Sequence, residues 1–404
     1  MTENQTLDYI LSLPKFTYPL GNEQLKKLLT LLGSPEKDMK FIHIAGTNGK
    51  GSAAAMLGSI LTESGYKTGV FTSPYIISFN ERIRIGNDNI KADKLAFYTA
   101  KVADMMARND IKISQFAFIL AVALLYYKAE NCDLVVLEAG LGGRLDATNV
   151  IEESVVSVIM SISLDHTEYL GDTIAEIAKE KCGIIKKNGD VVSYLNPPEA
   201  MEVIKSSCKE KTASLAIAKG SLTTPDGFKA GEREYSLSLK GEYQAGNAAT
   251  VLEVVGVLRQ KGFNISETDL INGFRNCRHR ARFEKVRENI IIDGAHNPDG
   301  ARALSYTLNK IDARKTAVIA MMEDKAVCDV LAEFKNSFDR IIITELDMPR
   351  CMRADKLLKK ALSMGIDAIA EPCPEKAFAL LEKAEFAVVC GSIYLTGRAL
   401  EYWG

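Results

Sequence analysis

Leucines at 25, 28, 29 and 32 recur at spacings of three and four, which puts them on one face of a helix. With Leu31 they mark residues 1–38 as a helical lead-in. Phe41–Gly46 (FIHIAG) is then a short apolar run closed by glycine, the pattern of a buried strand, and 52–64 returns to helical character. The same alternation continues. Residues 66–74 predict a second strand running into a loop, 116–129 a helix, 133–138 (DLVVLE) a buried strand ending in a carboxylate, 154–163 another strand and 173–186 a helix. Strand-length apolar runs alternating with helices predict βαβ units, hence a parallel sheet with helices on both faces.

Residues 213–240 break the rhythm. LAIAKG, GFKAG and REYSLSLKG are short alternating runs separated by turn residues, and they predict a small antiparallel insertion. A helix is expected over 242–261. After ARFEKVREN the α/β pattern restarts, with strands at IIIDGAHNPDG, TAVIAMM, RIIITE and FAVVCGS and helices between them. A boundary near Glu288 divides the chain into residues 1–287 and 288–404, and the 404 residues suit two or three domains at roughly 150 each. The expected class is α/β: a parallel-sheet domain with an antiparallel insertion, followed by a Rossmann-like α/β domain.

Charge narrows the function. Fifty Lys and Arg stand against 52 Asp and Glu, a formal net charge of −2, so the basic excess of a dedicated nucleic-acid binder is missing. The longest apolar run, 116–127, is too short to span a bilayer, and the N-terminus has no basic stretch leading into an apolar one. Eight cysteines form no C-x-x-C pair and only four histidines accompany them, which argues against a zinc site and against a disulfide scaffold. The expectation is a reduced, cytoplasmic protein with neither nucleic acid nor membrane as a partner.

The strongest chemical signal is AGTNGKGS, Ala45–Ser52, between the first strand and its helix. Glycines let the chain turn tightly, successive N–H groups form an anion nest, and the helix N-terminus adds its positive dipole end. Thr47, Asn48, Gly49, Lys50, Gly51 and Ser52 are therefore candidate phosphate contacts, with Lys50 the charge on the β and γ phosphates. The spacing departs from G-x-x-x-x-G-K-[ST]: Gly51 separates Lys50 from Ser52, and only two residues lie between Gly46 and Gly49. Glu138 ends a buried strand at the carboxyl edge of the sheet, where open α/β folds bind ligands and where Mg2+ finds a carboxylate. His166 in SLDHTEYLG follows another strand. Lys181 in IAKEKCGIIK lies on a helix that reads as a solvated face. DGAHNPDG, 293–300, joins Asp, His and Asn at a strand end, where an Asx cap by Asn297 is the competing reading.

Taken in order, GTNGKGS, TSPY…ER, LEAGLGGRLDATNV, LDHTEYLG, EKCGIIK, RFE and DGAHNP resemble the folylpolyglutamate synthase and dihydrofolate synthase family of the Mur ligase superfamily, from about residue 5 to the C-terminus. The resemblance implies a P-loop ATPase domain and an ATP-dependent amide ligase. ATP phosphorylates a carboxylate of a folate, and the α-amine of L-glutamate attacks the acyl phosphate. It also implies two Mg2+ ions, with Ser73, Glu138, His166 and a carbamylated Lys181 as ligands. Lys50, His166 and Lys181 become catalytic. Asn247, Arg282, Asp293 and His296 join the nucleotide contacts. A monomer is expected. Four positions depart from the pattern: Tyr75 stands where the family has His, Ala117 follows Phe116 in place of Glu, Tyr243 precedes Gln244 where the family has His, and His279–Phe283 replaces W-P-G-R-F. Folylpolyglutamate synthesis is the first reading and dihydrofolate synthase activity accompanies it as a second. A Mur-type ligase with another carboxylate substrate is the alternative. A degenerate ligase kept only for binding is disfavoured because Lys50, Glu138, His166 and Lys181 are all present. A P-loop switch is rejected: its N-K-x-D match, Asn309–Asp312, sits at a helix end about 260 residues from the phosphate loop.

Overall fold

The computed structural model describes residues 2–15 and 21–404, so residues 1 and 16–20 of the expected helical lead-in lie outside the described residues. Two compact units are present. The first comprises Met1–Ile162, Leu170–Ser238 and Gly246–Cys277; the second comprises Ser163–Tyr169, Leu239–Ala245 and Arg278–Gly404.

The first unit is built on eight strands: β1 (Phe41–Ala45), β2 (Thr68–Phe71), β3 (Ile83–Ile85), β4 (Asp88–Asn89), β5 (Leu134–Glu138), β6 (Val156–Ile159), β7 (Asp190–Ser193) and β8 (Ser214–Ile217). They lie in the order β4-β3-β2-β5-β1-β6-β7-β8. Six are parallel, and β3 and β4 add an antiparallel edge. Every residue of β1, β2, β5 and β6 is buried, which is why these strands read as unbroken apolar runs and not as alternating ones. Phe71, Val135 and Leu137 pack with the apolar helix Gln115–Ala129, while Ala45, Ile159 and Val191 pack with the helices Ile174–Cys182 and Pro198–Glu210. The expected parallel α/β sheet is present.

One expectation is corrected. LAIAKG does not belong to the antiparallel insertion: β8 pairs in parallel with β7, from Asp190 with Ser214 to Ser193 with Ile217. The helix Pro198–Glu210 supplies the crossover that a parallel pair needs. The insertion itself is a separate three-stranded antiparallel sheet of β9 (Ser221–Thr224), β10 (Gly227–Ala230) and β11 (Arg233–Ser236).

The second unit carries β12 (Glu284–Arg287), β13 (Ile290–Ile292), β14 (Lys315–Ile319), β15 (Arg340–Ile343), β16 (Ala368–Ala370) and β17 (Phe386–Cys390), in the order β12-β13-β17-β14-β15-β16. Only β12 is antiparallel; it makes a hairpin with β13, so this sheet begins a few residues before position 288.

Candidate functional site

In the first unit the parallel sheet sets the positions. β1 lies between β5 and β6, with Ile44 opposite Glu138 on one side and Ala45 opposite Ile159 on the other. The loop after β1 therefore emerges beside the ends of both neighbours, at the carboxyl edge where open α/β sheets hold ligands. It is pinned there: the Thr47 N–H donates to the Ser161 carbonyl at 2.7 Å, and Asn48 bridges Ser161. Two glycines are dictated by neighbours. A Cβ on Gly46 would stand 2.6 Å from the Cβ of Met160. Gly49 has φ +85° and a Cβ there would stand 2.4 Å from Oδ1 of Asn247, so the buried Asn247 side chain can lie against the loop only because position 49 is glycine. Gly49 opens the helix Lys50–Glu63, whose N-terminus has no side-chain cap. Such an end presents N–H groups to an anion.

Lys50 folds back across its own loop. Its Nζ donates to the carbonyls of Gly46 at 2.9 Å and Thr47 at 3.0 Å. Lys181 reaches the same Gly46 oxygen at 2.9 Å, although the two lysines come from different helices. Two ammonium groups meeting on one carbonyl oxygen concentrate positive charge at the loop, which favours a polyanion. The residue-level reading of Lys181 as a solvated face is corrected: the side chain is buried. A signal for this exists in the sequence. Ile177, Ala178, Lys181 and Cys182 form the buried stripe of their helix, and Lys181 lies four residues from Ile177. Ser52 is buried in the first turn of the loop's helix. Glu138 is buried too, and its Oε2 accepts from the Ser73 N–H at 3.1 Å.

Beyond Glu138 the glycine-rich loop is fixed by Asp146. Its Oδ2 accepts from the Leu141 N–H at 2.8 Å, and its Oδ1 accepts from the N–H and hydroxyl of Thr148 at 2.9 and 2.5 Å. Because the Thr148 hydroxyl donates to a carboxylate, it accepts from His43 Nε2 at 2.8 Å. That assigns the Nε2–H tautomer to His43, with Nδ1 a buried acceptor without a partner. Burial, aided by the charge of Lys186, pushes the His43 pKa down to about 3. His43, Asp146 and Thr148 were not foreseen as a network.

His166, expected beside Glu138 and Lys181, belongs to the second unit, as do Arg282, Asp293 and His296. His166 sits in the left-handed region with φ +53°. The centre of this cluster is Asp165, which sequence reasoning passed over. Lys325 Nζ donates to Oδ1 at 2.6 Å and Asn297 Nδ2 donates to Oδ2 at 2.9 Å, with His296 Nε2 at 3.8 Å and His166 Nε2 at 3.9 Å from Oδ2. Lys325 Nζ is also 3.4 Å from His166 Nε2. Burial raises the Asp165 carboxyl, but Lys325, His166 and His296 outweigh it and hold the group well below the usual carboxylate range. His296 Nδ1 donates to the Gly294 carbonyl at 2.8 Å, leaving the lone pair on Nε2; burial and the charge of Lys325 push its pKa down to about 4. Both readings of DGAHNP hold for Asn297: its Oδ1 caps the helix Pro298–Leu308 while its Nδ2 donates to Asp165. Lys325, just beyond β14, had no local signal; only its place after a buried strand points to the sheet edge.

Asp293, at the end of β13, is buried and accepts from three donors: the Ala295 N–H on Oδ1 at 2.9 Å, and the Phe283 N–H at 2.9 Å and Tyr243 hydroxyl at 2.6 Å on Oδ2. Arg282 lies beside it, with Nη1 2.4 Å from where a Gly294 Cβ would stand, so a side chain at 294 would displace the end of Arg282. Among the described residues no group of three or more His, Cys, Asp or Glu forms a metal cage. The donor set nevertheless suits Mg2+, which takes one or two carboxylates and completes its shell with phosphate and water. Glu138 supplies the buried anionic oxygen beside the Ser73 segment. Lys181 as an ammonium is a donor, and becomes a ligand only as a carbamate.

Comparison with known proteins decides the family. Residues 44–255 match the Mur ligase middle domain and residues 281–393 the Mur ligase glutamate ligase domain. The dihydrofolate synthase/folylpolyglutamate synthase of Bacillus subtilis is 33% identical over 410 residues, covering 94% of both chains. The chain belongs to the folylpolyglutamate synthase and dihydrofolate synthase family of Mur ligases. Its fold is similar to that of Mycobacterium tuberculosis folylpolyglutamate synthase complexed with ADP and AMPPCP, with a TM-score of 0.89, 30% identity and coverage of 100% of this chain and 99% of that one. The bifunctional folylpolyglutamate synthase/dihydrofolate synthase from Yersinia pestis, complexed with AMPPNP and Mn ion, gives 0.88 at 29% identity, covering 99% and 98%. No helix of the described residues is long and apolar enough to cross a membrane.

Proposed function

We propose that the chain is an ATP-dependent ligase that joins L-glutamate to a folate through an acyl phosphate. The observation that carries this is the phosphate loop, on which Lys50 and Lys181 converge at the Gly46 carbonyl, in a chain of this family. Phosphoryl transfer asks mainly for positioning and charge neutralisation. The loop amides and Lys50 receive the β and γ phosphates, with Ser52 and Thr47 adding hydroxyls. Asn247 lies beside the base, and Arg282, Asp293 and His296 complete the nucleotide contacts. The γ-phosphoryl group passes to a carboxylate oxygen of the folate. The α-amine of glutamate then attacks the acyl carbon and inorganic phosphate leaves. Ser73, Glu138, His166 and a carbamylated Lys181 would hold two Mg2+ ions, which supply charge neutralisation on the phosphates when bound. The contacts of Lys181 support the carbamate reading: a carbamate keeps its N–H for the Gly46 carbonyl and replaces one of two meeting ammonium charges with an anion beside Lys50. Folylpolyglutamate synthesis is the principal activity and dihydrofolate synthesis the second. The enzyme works as a cytoplasmic monomer, in keeping with eight free cysteines.

The test is ADP and phosphate release with ATP, Mg2+ and glutamate, comparing tetrahydrofolate, dihydropteroate and no acceptor. Turnover that requires both folate and glutamate is expected. Equal release without an acceptor would point instead to a nucleotide hydrolase or switch, and amide formation only with a non-folate carboxylate would point to another Mur-type ligase.

A further inference from the structure

Asp293 is a carboxylate with about four acceptor positions, and three are already taken by the Ala295 N–H, the Phe283 N–H and the Tyr243 hydroxyl. Two of these donors are backbone and come with the fold. The third is a side chain from a segment 50 residues earlier, and it makes the shortest contact, 2.6 Å. The Tyr243 hydroxyl has a defined direction: a carboxylate only accepts, so its proton goes to Oδ2. Asp293 is buried and Tyr243 half-buried. A buried carboxylate that loses a donor keeps its desolvation cost without the compensating bond. Oδ2 then keeps only the Phe283 N–H, and the carboxylate torsion that aims the free lone pair of Oδ1 rests on the two backbone bonds alone.

We propose that Tyr243 is a positioning residue for nucleotide binding: its hydroxyl fixes the Asp293 carboxylate as an ionised, singly oriented acceptor. The inference rests on the reading of Asp293 as a nucleotide contact. It makes residue 243 a point at which this enzyme sets its affinity for ATP.

The test measures binding of AMPPNP with Mg2+ to the full chain by calorimetry, alongside steady-state kinetics. Tyr243→Phe keeps the ring and removes the donor. The bond is present without nucleotide, so only its orienting effect reaches affinity, a part of the roughly ten- to hundredfold that a hydrogen bond to a charged group is worth; the analogue is expected to bind Tyr243→Phe about three- to tenfold more weakly, with KM for ATP rising alike. KM for glutamate is expected to stay within about twofold. Because the hydroxyl acts through Asp293, Tyr243→Phe combined with Asp293→Asn is expected to bind no more weakly than Asp293→Asn alone. A structural effect of the ring would add instead. Tyr243→Met, which lacks the hydroxyl in a different shape, is expected to reproduce the loss and carries the measurement if the Phe variant melts early. Wild-type affinity in Tyr243→Phe with weakened binding in Asp293→Asn overturns the proposal and leaves the nucleotide reading standing. Additive losses in the double variant overturn it as well. Wild-type affinity in both single variants overturns the nucleotide role of Asp293 itself.

Discussion

Replacing Lys181 with methionine separates what the buried ammonium does for chemistry from what it does for the fold. The stem of the side chain is enclosed and methionine fills a similar volume. The Gly46 carbonyl, which accepts from Lys181 Nζ at 2.9 Å, keeps Lys50 at the same distance, so the substitution leaves that oxygen with a donor. It also removes one of two like charges from a shared site. These effects oppose each other and each is of order 1 kcal/mol. The expected change in stability is therefore within about 1 kcal/mol, a shift in melting temperature of no more than about 2–4 °C for a domain of this size. Catalysis has no such compensation. Removing one preorganised group that faces charge developing in the transition state costs about 10²–10³-fold in turnover, and a carbamate that also holds a metal raises that loss. The assay is ADP release coupled to a fluorescent readout, with tetrahydrofolate, glutamate and saturating ATP and Mg2+, beside a thermal melt. Lys181→Ala is expected to lose activity likewise, and added bicarbonate to restore neither variant, because no amine remains to carry carbon dioxide. Turnover within a factor of ten of wild type, at an unchanged melting temperature, would refute the role given to this lysine.

Three further outcomes follow from the same geometry. Lys50→Ala and Glu138→Ala are each expected to abolish amide formation while circular dichroism and the melt stay close to wild type; near-normal turnover in either would remove that residue from the mechanism. Asp165→Asn leaves Lys325 buried without its counter-charge, since the pair has side-chain exposures of only 8% and 9%, and breaking a buried pair costs about 3–5 kcal/mol; a urea midpoint corresponding to less than about 1 kcal/mol would show the pair to be solvated in solution. For His43, folded and unfolded pKa values of about 3 and 6.5 fix the sign: below the unfolded value the unfolded chain takes up a proton that the folded chain refuses, so stability falls by about 1.4 kcal/mol for each pH unit. Urea melts between pH 7 and pH 4 are expected to show that slope reduced in His43→Gln, and identical slopes would mean that His43 is not held neutral.

What the sequence made legible is set by burial. β1, β2, β5 and β6 are covered on both faces, so their apolar runs announce themselves. β8 is a half-buried edge strand whose residues look like part of a hairpin, and only its pairing with β7 reveals where it belongs. The site divides along the same line. Thr47 to Ser52 and Glu138 lie at strand ends that the pattern locates, and short motifs mark them. Lys181 is hidden because helical spacing tells of a buried stripe without telling that a lysine completes it. Lys325 and Asp165 are 160 residues apart, and no local pattern joins an acid to a base across that distance. Residue type and fold together do so: each follows a buried strand, and strand ends are where side chains from distant segments meet.

The unusual spacing of the phosphate loop has a reason in these same contacts. The loop does not match G-x-x-x-x-G-K-[ST], since only two residues lie between Gly46 and Gly49 and Gly51 intervenes before Ser52. Neither Gly46 nor Gly49 is placed by phosphate alone. Gly46 is glycine because Met160, at the end of the neighbouring β6, leaves no space for a Cβ; Gly49 is glycine because its φ is positive and the Asn247 side chain stands against it. A loop pressed by Met160 on one side and Asn247 on the other has its turn fixed before any ligand arrives, and Lys50 and Lys181 then bring their charge to an oxygen of that turn. The glycine spacing therefore records the packing around the loop, while the convergence of the two lysines records its chemistry. Gly49→Ala should on this account disturb Asn247 and the backbone first and phosphate binding as a consequence, whereas Lys50→Ala should leave the turn intact and remove only the charge.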